Sequence, residues 1–213
     1  MNKYDILSRN QYGFRKNYST AYALIQLYDQ LSSALDDKKV TLGLFIDLSK
    51  AFDTVDHEIL LDKLEHYGVR GIALQWFKSC RKPFVQYNSY NSSLLRITCG
   101  VPQGSFLGPL LFLVYINDLC RVSKGLEMIL FADDTNIFYS YTDVSYLMEV
   151  VNLDLKKITC WFYTNKLPIN NKKSYFIIFR PRQNRQTLDL TFNISNCLID
   201  RVKETTFLGV VLD

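Results

Sequence analysis

The chain has 213 residues, 48% of them hydrophobic and 22% charged, which suits one sizeable core and argues against a disordered or fibrous protein. A formal net charge of +4 is compatible with a nucleic-acid partner but too small to demand one. The longest apolar run, Leu110 to Ile116, is too short to cross a bilayer, and no basic-then-apolar leader opens the sequence, so no membrane partner is expected. Five scattered cysteines without a C-x-x-C pair read as reduced, mostly buried thiols of an intracellular protein, with no disulfides and no zinc site.

Residues 1 to 18 are polar and mixed, with Gln11-Tyr-Gly-Phe-Arg-Lys16 as the distinctive piece. Ser19 or Thr20 caps a predicted helix that runs to about Asp37, with Ala23, Leu24, Leu27, Leu31 and Leu35 at helical spacing. The period then shortens to two. Val40, Leu42, Leu44 and Ile46 alternate with Thr41, Gly43, Phe45 and Asp47, which predicts a strand with Asp47 at its C-terminal end, opposite the Val/Leu/Ile row. Asp53 or Asp56 starts a helix through Tyr67, and Gly68 ends it. A second helix spans about Ile72 to Arg81 and stops before Pro83. Phe84 to Tyr90 and Leu94 to Cys99 read as a hairpin joined by Asn91-Ser92-Ser93.

The loop Gly100-Val-Pro-Gln-Gly-Ser-Phe-Leu-Gly-Pro109 feeds an apolar helix, Leu110 to Leu119, with Pro109 in the first turn. A glycine-rich loop before a helix can receive phosphate on its N–H groups. No Gly-Lys-Ser/Thr follows, so this is not a Walker loop, and a purely structural loop is the simpler reading of these residues alone.

The stretch Met128-Ile-Leu-Phe-Ala-Asp-Asp-Thr-Asn-Ile-Phe138 reads as apolar strand, two aspartates, apolar strand: a tight hairpin whose first strand is buried on both faces. Carboxylates at the end of a buried strand are costly unless something positive sits there, and a hard divalent cation prefers oxygen ligands. Asp-Asp pairs also serve as plain turn residues, and the stretch alone leaves both readings open. An amphipathic helix follows, about Asp143 to Asn165, striped by Leu147, Val150, Val151, Leu155, Ile158 and Phe162. A basic turn at Pro168 to Ser174 leads into a strand from Tyr175 to Arg180, and short strands near Leu188 to Ile194 and Phe207 to Leu212 close the chain. If adjacent strands join Asp47 to Asp133 and Asp134, the trio suits two Mg²⁺ ions about 3.5–4 Å apart, a geometry that serves in-line displacement at phosphorus.

These residues together resemble the reverse transcriptase domain of non-LTR retrotransposons of the jockey or chicken-repeat type, over nearly the whole chain. Phe45-Ile-Asp-Leu-Ser-Lys-Ala-Phe-Asp-Thr-Val-Asp56 looks like the first catalytic motif of that family. The glycine-rich loop with Leu113-Val-Tyr-Ile-Asn-Asp-Leu119 looks like the second, and Phe131-Ala-Asp-Asp134 like the third. Trp161 with Asn165-Lys-Leu167, Asn170 and Lys173 resembles the fourth, and Phe207-Leu-Gly-Val210 the primer-grip hairpin. Gln11 to Lys16 with Ser19-Thr20 resembles the lead-in to the palm. Each motif is weak alone; their order and spacing are jointly specific.

The resemblance implies an α+β polymerase palm, an antiparallel sheet backed by helices with partial fingers, in one domain. Residues 1–38 would form the fingers and lead-in, 39–180 the palm, and 181–213 the primer-grip strands. It implies RNA-directed DNA polymerase activity, a nucleotidyltransferase using Mg²⁺ (or Mn²⁺), with an RNA template, a DNA primer and dNTPs as partners. Asp47 and Asp133 would ligate the metals, with Asp134 in support. Phe45, Ile46, Gln103 and Gly104 would shape the nucleotide pocket, and Phe52 would be the wall that excludes a ribose 2′-OH. Lys173, with Lys172 as its rival, would protonate departing pyrophosphate. Phe207, Leu208, Gly209 and Val210 would hold the primer end.

Departures from the pattern are mild: Phe106 where a smaller β-branched residue is usual, Cys99 where Tyr or Ser is common, Ser174 for a usual Thr. The upstream fingers strands, the thumb and the endonuclease find no match, so a fragment of a larger polyprotein is expected, one that needs its missing segments. The alternative is a truncated, inactive relic that at most binds nucleic acid. A nuclear site of action is expected of a retroelement polymerase, though nothing here encodes it.

Overall fold

Strand β1 (Val40–Ile46) is buried along its whole length, because both of its faces are covered. In the computed structural model, which describes residues 6–79, 97–101, 104–181, 190–194 and 197–213 together with the backbone of 86–87 and 90–91, β1 is the middle of a five-stranded sheet. The hairpin β4 (Glu127–Phe131) and β5 (Asp134–Tyr141) lies on one side of it, and β6 (Tyr175–Phe179) with β9 (Asp200–Arg201) on the other, in the order β4-β5-β1-β6-β9. The first four strands are antiparallel, as expected; the short β9 runs parallel to β6 and makes the sheet mixed.

The period of two assigns the faces. Val40, Leu42, Leu44 and Ile46 point into the larger core, which holds the buried sides of α2 (His57–His66), α4 (Leu107–Ile116) and α5 (Val144–Thr164). Phe45 points the other way, into a smaller aromatic core with Tyr12, Phe138, Ile177, Phe179 and Phe207 under α1 (Thr20–Asp36). At Gly43 a Cβ would stand 3.1 Å from ring atoms of both Phe138 and Phe179, so the glycine lets rings from two neighbouring strands close over β1. Phe112, in α4, is fully buried; removing such a ring costs about 3–5 kcal/mol.

Helix boundaries follow their caps. The Ser19 hydroxyl accepts from Tyr22 N–H, and Asp143 from Tyr146 N–H, as the sequence suggests. Asp56, not Asp53, caps α2, accepting from Glu58 and Ile59 N–H. Gly68 (φ +90°) ends it, its N–H bonding Glu65 O while Val69 N–H bonds Leu64 O. Helix α3 spans Gly71–Ser79, and the end predicted near Arg81 lies outside the described residues. Helix α4 starts at Leu107, three residues before the predicted start, with Pro109 still in its first turn.

Other expectations need correction. Leu35 is exposed, and Ala34 takes its place in the core, so the stripe of α1 drifts by one residue near its end. The described pairing in the 84–99 region is β2 (Gln86–Tyr87) with β3 (Tyr90–Asn91), so Asn91 pairs with Gln86 instead of opening the predicted 91–93 connection; the rest of the predicted hairpin up to residue 96 lies outside the described residues. The cysteines are not mostly buried: Cys99, Cys160 and Cys197 are exposed, Cys120 is partly buried, and no disulfide links the described ones. Near the C-terminus the chain forms two small hairpins, β7 (Asn193–Ile194) with β8 (Cys197–Leu198), and β10 (Thr205–Phe207) with β11 (Val210–Leu212). No described helix is long and apolar enough to cross a membrane.

Candidate active site

Register brings the aspartates together. Ile46 pairs with Thr135 across β1 and β5, so one further step sets Asp47 opposite Asp134. Phe131 pairs with Asp134, leaving Ala132 and Asp133 as the two-residue tip of the β4–β5 hairpin. Ala132 holds a left-handed φ of +56°, uncommon for a residue with a Cβ. The Asp-Asp pair is therefore split: Asp133 belongs to the turn and Asp134 is the first residue of β5.

Asp47 and Asp134 line one cavity of about 430 Å³, together with Phe45, Ile46 and Asn136 from the sheet. Lys172 and Lys173 come in from the turn before β6, and Thr206, Phe207 and Leu208 from the β10–β11 hairpin. Tyr175 closes another side, stacked on Phe45 with ring centroids 5.3 Å apart. The volume suits a small-molecule ligand. Two carboxylates and two lysines around one cavity suit an anion that reaches the aspartates through a cation.

Two neighbours fix Asp47. The Asn170 side chain donates to Asp47 Oδ2 at 2.9 Å, and its backbone N–H to Asp47 O at 2.9 Å. The Ser174 hydroxyl accepts from Asp47 N–H at 3.2 Å and donates to Asn170 O at 2.9 Å. At Asp134, partial desolvation and then the charges of Asp133 and Asp47 push the carboxyl above its ordinary value. Residue 134 keeps an exposed surface, so the repulsion is the part of that shift that a bound cation would reverse.

The donors are all hard oxygens, which suits Mg²⁺. Among the described residues, however, no three His, Cys, Asp or Glu side chains close into a ready-made metal cluster. The set is open: Asp133 does not line the cavity, although its charge reaches Asp134, and one Asp47 oxygen is bonded to Asn170.

The remaining predicted residues fall in three places. Phe207 and Leu208 reach the cavity, while Gly209 and Val210 complete the hairpin around a Leu208-Gly209 turn with both φ positive, +48° and +89°. Phe52 is not in the cavity wall; its ring packs on Phe112 with centroids 4.7 Å apart. Gly104 sits in the left-handed region (φ +78°) before α4, and Gln103 lies outside the described residues. Both Lys172 and Lys173 line the cavity, so position alone does not choose between them.

Sequence reading missed what lies behind the site. Gln11, almost fully buried, grips the hairpin tip: its Oε1 accepts from Ala132 N–H at 3.0 Å and Gly13 N–H at 2.8 Å, and its Nε2 donates to Ala132 O at 3.2 Å. Asp118 accepts from Lys63 at 2.6 Å and from the Trp161 indole at 3.1 Å, joining the motif after the loop to the motif in α5. The Tyr115 hydroxyl donates to Asn165 O at 2.6 Å, and burial pushes its pKa up to about 12. Several motif residues that resemble catalytic signatures are thus struts between elements.

Residues 1–212 match the family model described as reverse transcriptase (RNA-dependent DNA polymerase). The chain is 28% identical, over 98% of its length, to the probable RNA-directed DNA polymerase from transposon BS of Drosophila melanogaster, and covers 24% of that protein. It is 27% identical, over 95% of its length, to the RNA-directed DNA polymerase from mobile element jockey of the same organism, and covers 23% of that one. It therefore spans about a quarter of these relatives. Among solved structures it is similar to apo telomerase from Candida tropicalis, with a TM-score of 0.58 at 12% identity, over 100% of this chain and 37% of that one. A telomerase from the same species in complex with a telomeric RNA fragment gives 0.54 at 13% identity, over 90% of this chain and 33% of that one. The likeness extends the shared fold, a polymerase palm of α+β type. The chain belongs to the reverse transcriptase (RNA-dependent DNA polymerase) family.

Proposed function

We propose that this chain is the palm of a retrotransposon RNA-directed DNA polymerase, which adds deoxynucleotides to a primer 3′-OH on an RNA or DNA template and releases pyrophosphate. The observation that carries the reading is one cavity in which Asp47 and Asp134, two lysines, Phe207 and Leu208 meet. Asp47, Asp133 and Asp134 would hold Mg²⁺, or Mn²⁺ in its place, which would neutralise phosphate charge and lower the pKa of the attacking hydroxyl.

The chain's own residues do the rest. Asn170 and Ser174 hold Asp47 in place, so its carboxylate needs little reorganisation. Lys173 or Lys172, lining the same cavity as Asp47 and Asp134, donates the proton that departing pyrophosphate needs. Phe45 and Ile46 form the floor beneath the nucleotide. Leu208 and Phe207, with Gly209 and Val210 behind them, support the primer end. Phe52, whose ring packs on Phe112 outside the cavity lining, is assigned the gate against a 2′-OH by family resemblance alone, as Gln103 and Gly104 are assigned the shaping of the nucleotide and template pocket. The hybrid is held by its phosphates, as binding without sequence preference requires. Residues 1–38 serve as lead-in and partial fingers, 39–180 as the palm and 181–213 as the primer-grip unit.

Extension of oligo(dT) on an oligo(rA) template, with Mg²⁺ and with Mn²⁺, tests the reading. Joined to the remaining polymerase segments of a relative, the wild-type palm extends the primer and Asp133→Ala does not, with circular dichroism showing that both fold. Extension that survives Asp133→Ala contradicts it.

A further inference from the structure

The segment that leads into α1 is built into the site from behind. Tyr12 N–H donates to Leu130 O and Leu130 N–H to Asn10 O, both at 2.8 Å, so this segment covers the outer edge of β4. Its upstream end is tied down by Asn117, whose Oδ1 accepts from Ser8 N–H at 2.7 Å and whose Nδ2 donates to Ile6 O at 2.8 Å. Arg15 donates to the Gln11 carbonyl at 3.1 Å, and the Tyr12 hydroxyl bonds Gln26 of α1. The strap is anchored at both ends, and Gln11 is its point of contact with the turn that carries Asp133.

That turn needs holding. Ala132 occupies a left-handed conformation that alanine rarely adopts, and such a conformation persists only where its surroundings fix it. Gln11 fixes it through both the N–H and the C=O of Ala132. Gly13 makes the fit possible: a Cβ there would lie 2.3 Å from Ala132 N, so the strap reaches the turn only as glycine. A buried amide that satisfies both the N–H and the C=O of one residue is a specific clamp, and replacing it strands buried polar groups.

We propose that Gln11 is a positioning residue for the catalytic hairpin: by clamping Ala132 it sets the direction of the Asp133 carboxylate and so the affinity of the site for a divalent cation. The inference rests on the reading of Asp133 as a cation ligand. It gives the Gln11-Tyr-Gly13 stretch, far from the aspartates in sequence, a defined part in the chemistry without contact with substrate.

The test is Mn²⁺ binding to the full chain, followed by electron paramagnetic resonance, together with amide exchange at Ala132. Gln11→Met keeps the volume and removes the three hydrogen bonds. It is expected to weaken Mn²⁺ binding about tenfold, the effect typical of losing a group that orients a ligand. Exchange at Ala132 N–H rises with it, while exchange at Ile137, further along the same hairpin, does not. A general loss of stability would raise exchange at Ile137 as well, which separates loss of the clamp from simple destabilisation. If Gln11→Met fails to fold, Gly13→Ala, which sets a Cβ against Ala132 N from the same strap, carries the same expectation for Mn²⁺. Wild-type affinity in a folded variant overturns the clamp and leaves the metal reading standing. A wild-type chain that binds no Mn²⁺ overturns the metal reading, and the clamp's role with it.

Discussion

Asn170 holds Asp47 twice, through its side-chain amide to Oδ2 and through its backbone N–H to the carbonyl, both at 2.9 Å. The second contact belongs to the backbone and survives substitution; the first does not. Asn170→Ala should therefore leave the fold intact and free the carboxylate to rotate. We expect primer extension to fall about tenfold, with more Mg²⁺ needed for half-maximal rate, as is usual when a ligand loses its orienting partner. Titrating Mg²⁺ against extension rate checks this, and an unchanged Mg²⁺ requirement would show that Asn170 is only a turn residue.

Lys63 lies between the rings of Tyr115 and Trp161, 5.0 and 4.7 Å from their centroids, and bonds Asp118 and the Tyr115 carbonyl at 2.6 Å each. Burial pulls its pKa down, and Asp118 works against that. Asp118→Ala leaves the ammonium half-stranded. Because the Asp118 carboxylate is about one-third exposed, the cost should be about 2 kcal/mol, between a surface pair and a fully buried one. Lys63→Met, which removes the charge and keeps the stem, should cost less. Urea denaturation of both variants orders them, and the reverse order would contradict this picture.

Acid should weaken the fold through two carboxylates outside the cavity. At Asp56 and Asp154 burial acts to raise the pKa, but hydrogen bonds and attraction outweigh it: Lys166 and two N–H groups at Asp56, Lys157 and Ser123 at Asp154. Both values end below the ordinary 3.8. A depressed folded value means stability that is present above the unfolded value and lost as pH falls through the folded one. The urea midpoint should therefore hold from neutral pH down to the ordinary carboxylate range and fall below it. Asp56→Asn and Asp154→Asn should each flatten that fall; a slope equal to wild type in both would refute the assignment.

Phe52 separates two effects. Its ring packs on Phe112, so Phe52→Val should cost about 2 kcal/mol of stability by lost burial. If the ring is also the wall beneath the sugar, the variant should incorporate ribonucleotides more readily relative to deoxynucleotides. A loss of stability with unchanged sugar selection would leave Phe52 as core alone.

Much of this was legible in the sequence where a local rule acts alone. Period two along Val40 to Asp47 placed the strand and the face of Asp47, and Ser19 and Asp143 marked their helices by cap chemistry. Reading failed where partners distant in the chain decide. Nothing near Gln11 says that its amide meets Ala132, 121 residues away. The pairing of Asn170 with Asp47 spans 123 residues and depends on β1 lying beside β6. The choice of Asp56 over Asp53 as a cap is likewise tertiary: Lys166 bonds the Asp56 carboxylate at 2.6 Å, and Tyr115 sits against its N–H. Leu35 kept its helical spacing and still faced solvent, because its neighbour Ala34 takes the buried position at that end of the helix.

Asp47, Asp133 and Asp134 acting as one cation site is the premise beneath the rest, and metal-linked stability tests it most directly. Without a cation the three charges repel, so Asp133→Asn should raise the unfolding midpoint measured in chelator. Millimolar Mg²⁺ should then stabilise the wild type, by about 2.7 kcal/mol if the concentration reaches a hundred times the dissociation constant, and should do little for the variant. A wild type that Mg²⁺ leaves unmoved, or a variant that gains as much as the wild type, would contradict a shared site.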